Sequence, residues 1–167
     1  MHRPKIKIEK NVLDRSIEVF TCILILISAS LILIYYNQLP EKIQINFNWP
    51  SKDENGFGTK NTLWASPIIC GIIAISIYKL NQYPWVFNYP VTITTTNAKY
   101  NYKMATQMLR LIGLTIGVMC LTITVISIFN SLGKTIEFQK YTDSLFPIIL
   151  VGIPTYFIIK IIKNTNN

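Results

Sequence analysis

The side chains that most often carry out reactions are scarce in this sequence, and none stands in a reactive arrangement. His2 is its single histidine. A zinc protease needs two histidines and an acid on facing helices, and a serine nucleophile needs a histidine to take its proton. One histidine beside the N-terminus meets neither requirement. Intramembrane carboxylate chemistry needs two facing acids, yet the long apolar runs hold only Glu18, at an edge. Gly56-Phe57-Gly58-Thr59-Lys60 has the composition of a phosphate-cradling loop without its spacing. The chain therefore reads as a non-enzyme with no catalytic residue, no cofactor and no metal.

The elements that would position any polar site are four apolar runs, at 17–36, 63–80, 108–129 and 145–162. Each has roughly the 20 residues that an α-helix needs to cross hydrocarbon. Half of the 167 residues are apolar and only 14% are charged. A soluble domain of this length carries more charge and shorter apolar runs. The predicted fold is an all-α membrane protein: four transmembrane helices over 17–162, with tails at 1–16 and 163–167. The first run continues through Leu31–Ile34, past the small residues Ser28-Ala29-Ser30. It is too long for a cleaved leader and reads as a retained helix.

The formal net charge is +8. The cations form no aromatic-interleaved patch, so nucleic acid is not the expected partner. They collect instead before the first run (Arg3, Lys5, Lys7, Lys10, Arg15), around the second loop (Lys79, Lys99, Lys103, Arg110) and at the end (Lys160, Lys163). No acid occurs between Lys60 and Glu137. By the positive-inside rule both termini and the middle loop are cytoplasmic, in a bacterial inner membrane. Cys22, Cys70 and Cys120 fall inside the runs, where thiols pack as small apolar groups.

The first loop, 37–62, is the most structured polar segment. Leu39-Pro40 ends the first helix, Ile43, Ile45 and Phe47 alternate with polar residues, and Asn55-Gly56 with Gly58 supplies a turn. That predicts a short strand with one apolar face, in an ordered cap on the outer side. The basic tail reads as loose or resting on the anionic leaflet, with Glu18 near Arg15. Thr94, Thr95 or Asn97 would cap a helical lead-in over 98–109 that runs into the third span. Hydroxyls within the runs (Ser28, Ser30, Ser76, Thr115, Thr122, Thr124, Ser127) read as packing groups that bond helix carbonyls. Gly113 and Gly117, four apart, allow close backbone approach. Packing within the bundle is the favoured reading, and a dimer contact is the other. Pro147 falls near the start of the fourth span, and Pro154 predicts a kink in it.

Leu39-Pro40-Glu41-Lys42-Ile43-Gln44-Ile45-Asn46-Phe47-Asn48, followed by Asn55-Gly56-Phe57-Gly58-Thr59-Lys60, resembles the signature of a bacterial membrane domain of unknown function. That domain also forms the N-terminal part of SdpI-like immunity proteins. Asn88-Tyr89-Pro90-Val91-Thr92-Ile93-Thr94, with Asn97-Ala98 and Met108-Leu109-Arg110, is similar to members of the same group. The resemblance covers about residues 20–130. Gln44 stands where the group often has proline, and Asn46 where it often has a histidine that can titrate. The resemblance implies a membrane location, an ordered outer loop and a link to immunity.

Together these readings give a multi-pass protein whose partners are the lipid bilayer and a peptide, protein or headgroup at the outer loop. Asn46, Asn48, Trp49, Asp53 and Lys60 are the candidate recognition residues. The same residues equally suit stabilisation of the loop itself. The alternative function is a small transporter or channel-forming subunit, which would need a homo-oligomer, through Gly113 and Gly117, to enclose a path.

Overall fold

The computed structural model describes residues 3–44 and 53–165. Four long helices dominate: α1 (Val12–Tyr35), α2 (Ala65–Leu80), α3 (Ala98–Ser131) and α4 (Gln139–Thr165). Between α1 and α2 lies a two-stranded antiparallel hairpin, β1 (Lys42–Gln44) and β2 (Phe57–Thr59). All four helical segments are long and apolar enough to cross a membrane. Central in the packing is α3, which touches each of the other three, while α1 also packs on α2.

Local chemistry sets the helix bounds. Asn11 caps α1 by accepting from the Asp14 amide, and Asp14 accepts from the Asn11 amide, a reciprocal box that satisfies two orphan donors. The helix therefore starts at Val12, ahead of the apolar run that begins at 17. The lead-in and third span are one helix of 34 residues, about 51 Å long. Asn97 stands at its N-cap without a side-chain capping bond. Its amide group instead ties down the preceding loop, accepting from the Thr94 N–H and donating to the Thr92 carbonyl. Because α4 begins at Gln139, Pro147 lies well inside it and not near its start, and the helix runs through both Pro147 and Pro154.

Many of the exposed side chains on these helices are large and apolar. Leu26 is 65% exposed, Ile72 61%, Ile148 68% and Val151 67%. A surface so rich in aliphatic groups fits hydrocarbon rather than water. Hydroxyls within the spans satisfy themselves locally, whether buried or exposed: Ser28, Ser30, Ser76 and Thr115 donate to the carbonyls four residues earlier. Thr124 Oγ1 is buried and, unlike these, donates to no helix carbonyl among the described residues.

Residues 3–11 do not form a loose tail. Arg3 donates to the Trp85 and Phe87 carbonyls, and the Tyr102 hydroxyl donates to the Pro4 carbonyl at 3.0 Å. Ile6 and Ile8 pack on the buried group Ile93, Ala98 and Tyr102. The segment is a strap across the α2–α3 loop and the start of α3. Burial raises the Tyr89 hydroxyl well above its usual range, with the neighbouring Tyr102 adding to the shift and Arg3 opposing it. The C-terminal half of α4 joins the same end, where Phe157 and Ile161 pack on Met104. Both termini and the α2–α3 loop thus share one end of the bundle, and the hairpin occupies the other.

Candidate functional site

The hairpin is a platform fixed on one face. Ile43 pairs with Gly58 across the two strands, and both are buried. Ile43 joins Leu39, Leu63, Ile32 of α1 and Ile128 of α3 in a single apolar cluster, so the sheet is clamped onto the helix ends. The alternating residues Lys42, Gln44, Phe57 and Thr59 are exposed. The predicted strand is present over Lys42–Gln44. Its continuation through Ile45 and Phe47, and the candidates Asn46, Asn48 and Trp49, lie outside the described residues.

Asp53 and Lys60 find partners within the loop. The Asp53 carboxylate accepts from the amides of Asn55 (3.1 Å) and Phe57 (2.8 Å), and its own amide donates to the Phe57 carbonyl at 2.7 Å. Gly56 takes φ 86°, a conformation that a side chain would oppose, which closes the turn. Lys42 pairs with Asp53 at 3.3 Å. Lys60 pairs with Glu41 at 2.9 Å and stands over the Tyr36 ring, 4.6 Å from its centroid.

The Phe57 amide, more than Lys42, holds the Asp53 carboxyl below its ordinary value of 3.8, against a smaller opposing effect of desolvation. A depressed native pKa means that the turn gains stability above the unfolded value and loses it as pH falls through the native one. Protection of the Asn55 and Phe57 amides, relative to their intrinsic exchange rates, is accordingly expected to fall on acidification below pH 3.8. Asp53→Ala should show that loss of protection already at neutral pH. Identical exchange in the variant and the parent would mean that the carboxylate does not hold the turn.

A second cluster, at the opposite end, went unread in the sequence. Arg110 of α3 is only 1% exposed. Its Nε donates to Glu18 Oε1 at 3.0 Å, and its Nη1 stands 3.2 Å from Asp14 Oδ1. The second contact is close enough for ion pairing but lacks hydrogen-bond geometry, and Nη1 has no other partner. Glu18 also pairs with Lys10 of the strap, where sequence proximity pointed to Arg15. Asp14 thus caps α1 and neutralises Arg110 at once. Two acids four apart on one helix face repel each other unless a cation lies between them. Measured along α3, Arg110 is about 32 Å from Ser131, close to the thickness of a hydrocarbon layer of about 30 Å.

Gly113 and Gly117 face this chain's own helices. A Cβ on Gly113 would stand 3.2 Å from the Tyr78 hydroxyl of α2, and one on Gly117 would stand 3.1 Å from Thr21 Cγ2 of α1. The Tyr78 hydroxyl is buried against Gly113, which lies about one helical turn from Arg110 on α3. One signal for the ionic cluster was legible: Asn11-x-x-Asp14 is a capping box, and it places Asp14 and Glu18 on one face. Nothing local in the sequence joins that face to Arg110, 92 residues from Glu18. No group of three or more His, Cys, Asp or Glu residues able to hold a metal occurs among the described residues. No family model, curated protein or solved structure matches this chain significantly.

Proposed function

We propose that this chain is a non-enzymatic multi-pass protein of a bacterial inner membrane, with both termini cytoplasmic. Its hairpin meets a peptide, protein or lipid headgroup on the outer side, as the resemblance to SdpI-like immunity proteins implies. One observation carries this reading: the sheet is clamped by Ile43 and Gly58 while Lys42, Gln44, Phe57 and Thr59 are left exposed. A surface held rigid before encounter spends little ordering entropy on binding. Phe57 is 40% exposed opposite Gln44, on the same face as the Lys42 cation that pairs with Thr59, and an apolar anchor on a face that carries a charge suits a peptide. Asn46, Asn48 and Trp49, the other candidates, fall between the two strands in sequence.

Transport is the second reading, favoured by buried ionisable groups near the membrane boundary, because such groups usually mark ion paths. Here Arg110 is neutralised by Asp14 and Glu18, as a structural lock would be. Two measurements on the full chain separate the readings. A photoreactive residue replacing Phe57 in the native membrane is expected to capture one discrete species, reachable from outside by an impermeant label. Purified protein in sealed vesicles is expected to pass ions and small solutes at the background rate. Selective flux well above background, with no adduct at position 57, would replace recognition by transport.

A further inference from the structure

The strap and the start of α3 enclose a cleft of about 360 Å³, lined by Ile6, Lys7, Ile8, Asn11, Lys99 and Lys103, together with Glu9. Lys99 and Lys103 are one helical turn apart on α3, and Lys7 reaches the cleft from the strap. All three are exposed. Three other cations at this end are engaged: Arg3 by backbone carbonyls, and Lys10 and Arg110 by carboxylates. Lys7, Lys99 and Lys103 have no carboxylate within ion-pairing distance among the described residues. Glu9 lines the same cleft without pairing to any of them, so cations outnumber anions three to one around it.

Depth identifies the ligand. Lys103 stands five residues before Met108, where the apolar part of α3 begins, or about 7–8 Å along the axis. Headgroups occupy roughly that distance outside the hydrocarbon, since a bilayer of about 40–45 Å encloses a core of about 30 Å. Lys99 lies one turn further out. The apolar wall from Ile6 and Ile8 suits the glycerol and upper acyl carbons of a lipid.

We propose that this cleft binds the phosphate-bearing headgroup of an anionic phospholipid in the leaflet around the strap. Lys7, Lys99 and Lys103 pair with the phosphate, and the Asn11 side of the cleft flanks it. The site fixes the strap to the leaflet at the end opposite the hairpin, so it stands or falls separately from recognition by the hairpin.

The test is titration of short-chain phosphatidylglycerol into the full chain held in a neutral detergent, with bound lipid counted by native mass spectrometry. Each lysine near a membrane surface contributes enough that replacing all three should weaken binding on the order of 100-fold. The variant is Lys7→Gln/Lys99→Gln/Lys103→Gln, and the arginine triple at the same positions should retain binding. A control triple at Lys5, Lys79 and Lys163, exposed cations outside the cleft, should leave binding nearly unchanged. Phosphatidylcholine and inorganic phosphate should compete poorly. Equal loss in the control triple would overturn the site in favour of diffuse attraction. Competition by inorganic phosphate as strong as by the lipid would overturn the lipid assignment, and unchanged binding by a folded cleft triple would overturn both.

Discussion

Arg110→Ala is expected to destabilise the bundle by about 3–5 kcal/mol, the range for removing one partner of a buried ion pair. The loss comes less from the attraction removed than from what stays behind. Asp14 is 4% exposed and the Glu18 side chain 15%, so Asp14 would stay buried without a cation while Glu18 kept only Lys10. Unfolding in a detergent series of rising denaturant strength would measure the change. The control is Arg15→Ala, at an exposed arginine that forms no ion pair among the described residues, where little change is expected. The triple Asp14→Asn/Glu18→Gln/Arg110→Met should recover much of the loss, because it removes every buried charge and keeps an N-terminal box residue. If Arg110→Ala proved as mild as Arg15→Ala, the cluster would not lock α1 to α3.

Gly117→Val is expected to cost about 1–3 kcal/mol by overpacking the α1–α3 contact. Its Cβ would meet Thr21 Cγ2 at 3.1 Å and, more seriously, the Thr21 carbonyl oxygen at 3.3 Å. A side chain can rotate away, but a backbone carbonyl inside a helix moves only with the helix. Gly113→Ala should be milder, because its neighbour is the tip of the Tyr78 ring. Gly152→Ala meets nothing within 4 Å and should be neutral or slightly stabilising, since alanine is the better helix former. The same denaturation series, run on the three variants, gives the order. Equal effects at Gly117 and Gly152 would mean that α1 and α3 do not depend on the close approach seen here.

These two positions show how far sequence reading reached. Gly113 and Gly117 were legible as a close-approach face because small residues four apart lie on one side of a helix. Which helix they meet was not legible, since the spacing describes one surface and says nothing of its partner. Arg110 was read as a loop-edge cation under the positive-inside rule, and Glu18 as an edge acid served by Arg15. Both are edge residues, but each is engaged with a chain segment far away in sequence. The tail went the same way: Arg3, Ile6 and Ile8 look like parts of a loose basic arm until Tyr102 and Ile93 are set beneath them. In the loop, residue type and position mark Asp53 and Lys60 as recognition candidates, and the fold engages both with loop neighbours.

Hydropathy and cation density are sums along the chain, so four membrane-length helices, one short strand and a turn at Asn55-Gly56 could be read from residue order alone, whereas the second strand at Phe57–Thr59 could not. Hydrocarbon length, strand alternation and glycine at a positive φ are local demands, and local composition answers them. The pairing of Asp14 and Glu18 with Arg110, the docking of the strap and the cleft lined by Lys7, Lys99 and Lys103 arise only when helices meet. They depend on which faces of α1 and α3 turn toward each other, a rotation that no single segment encodes.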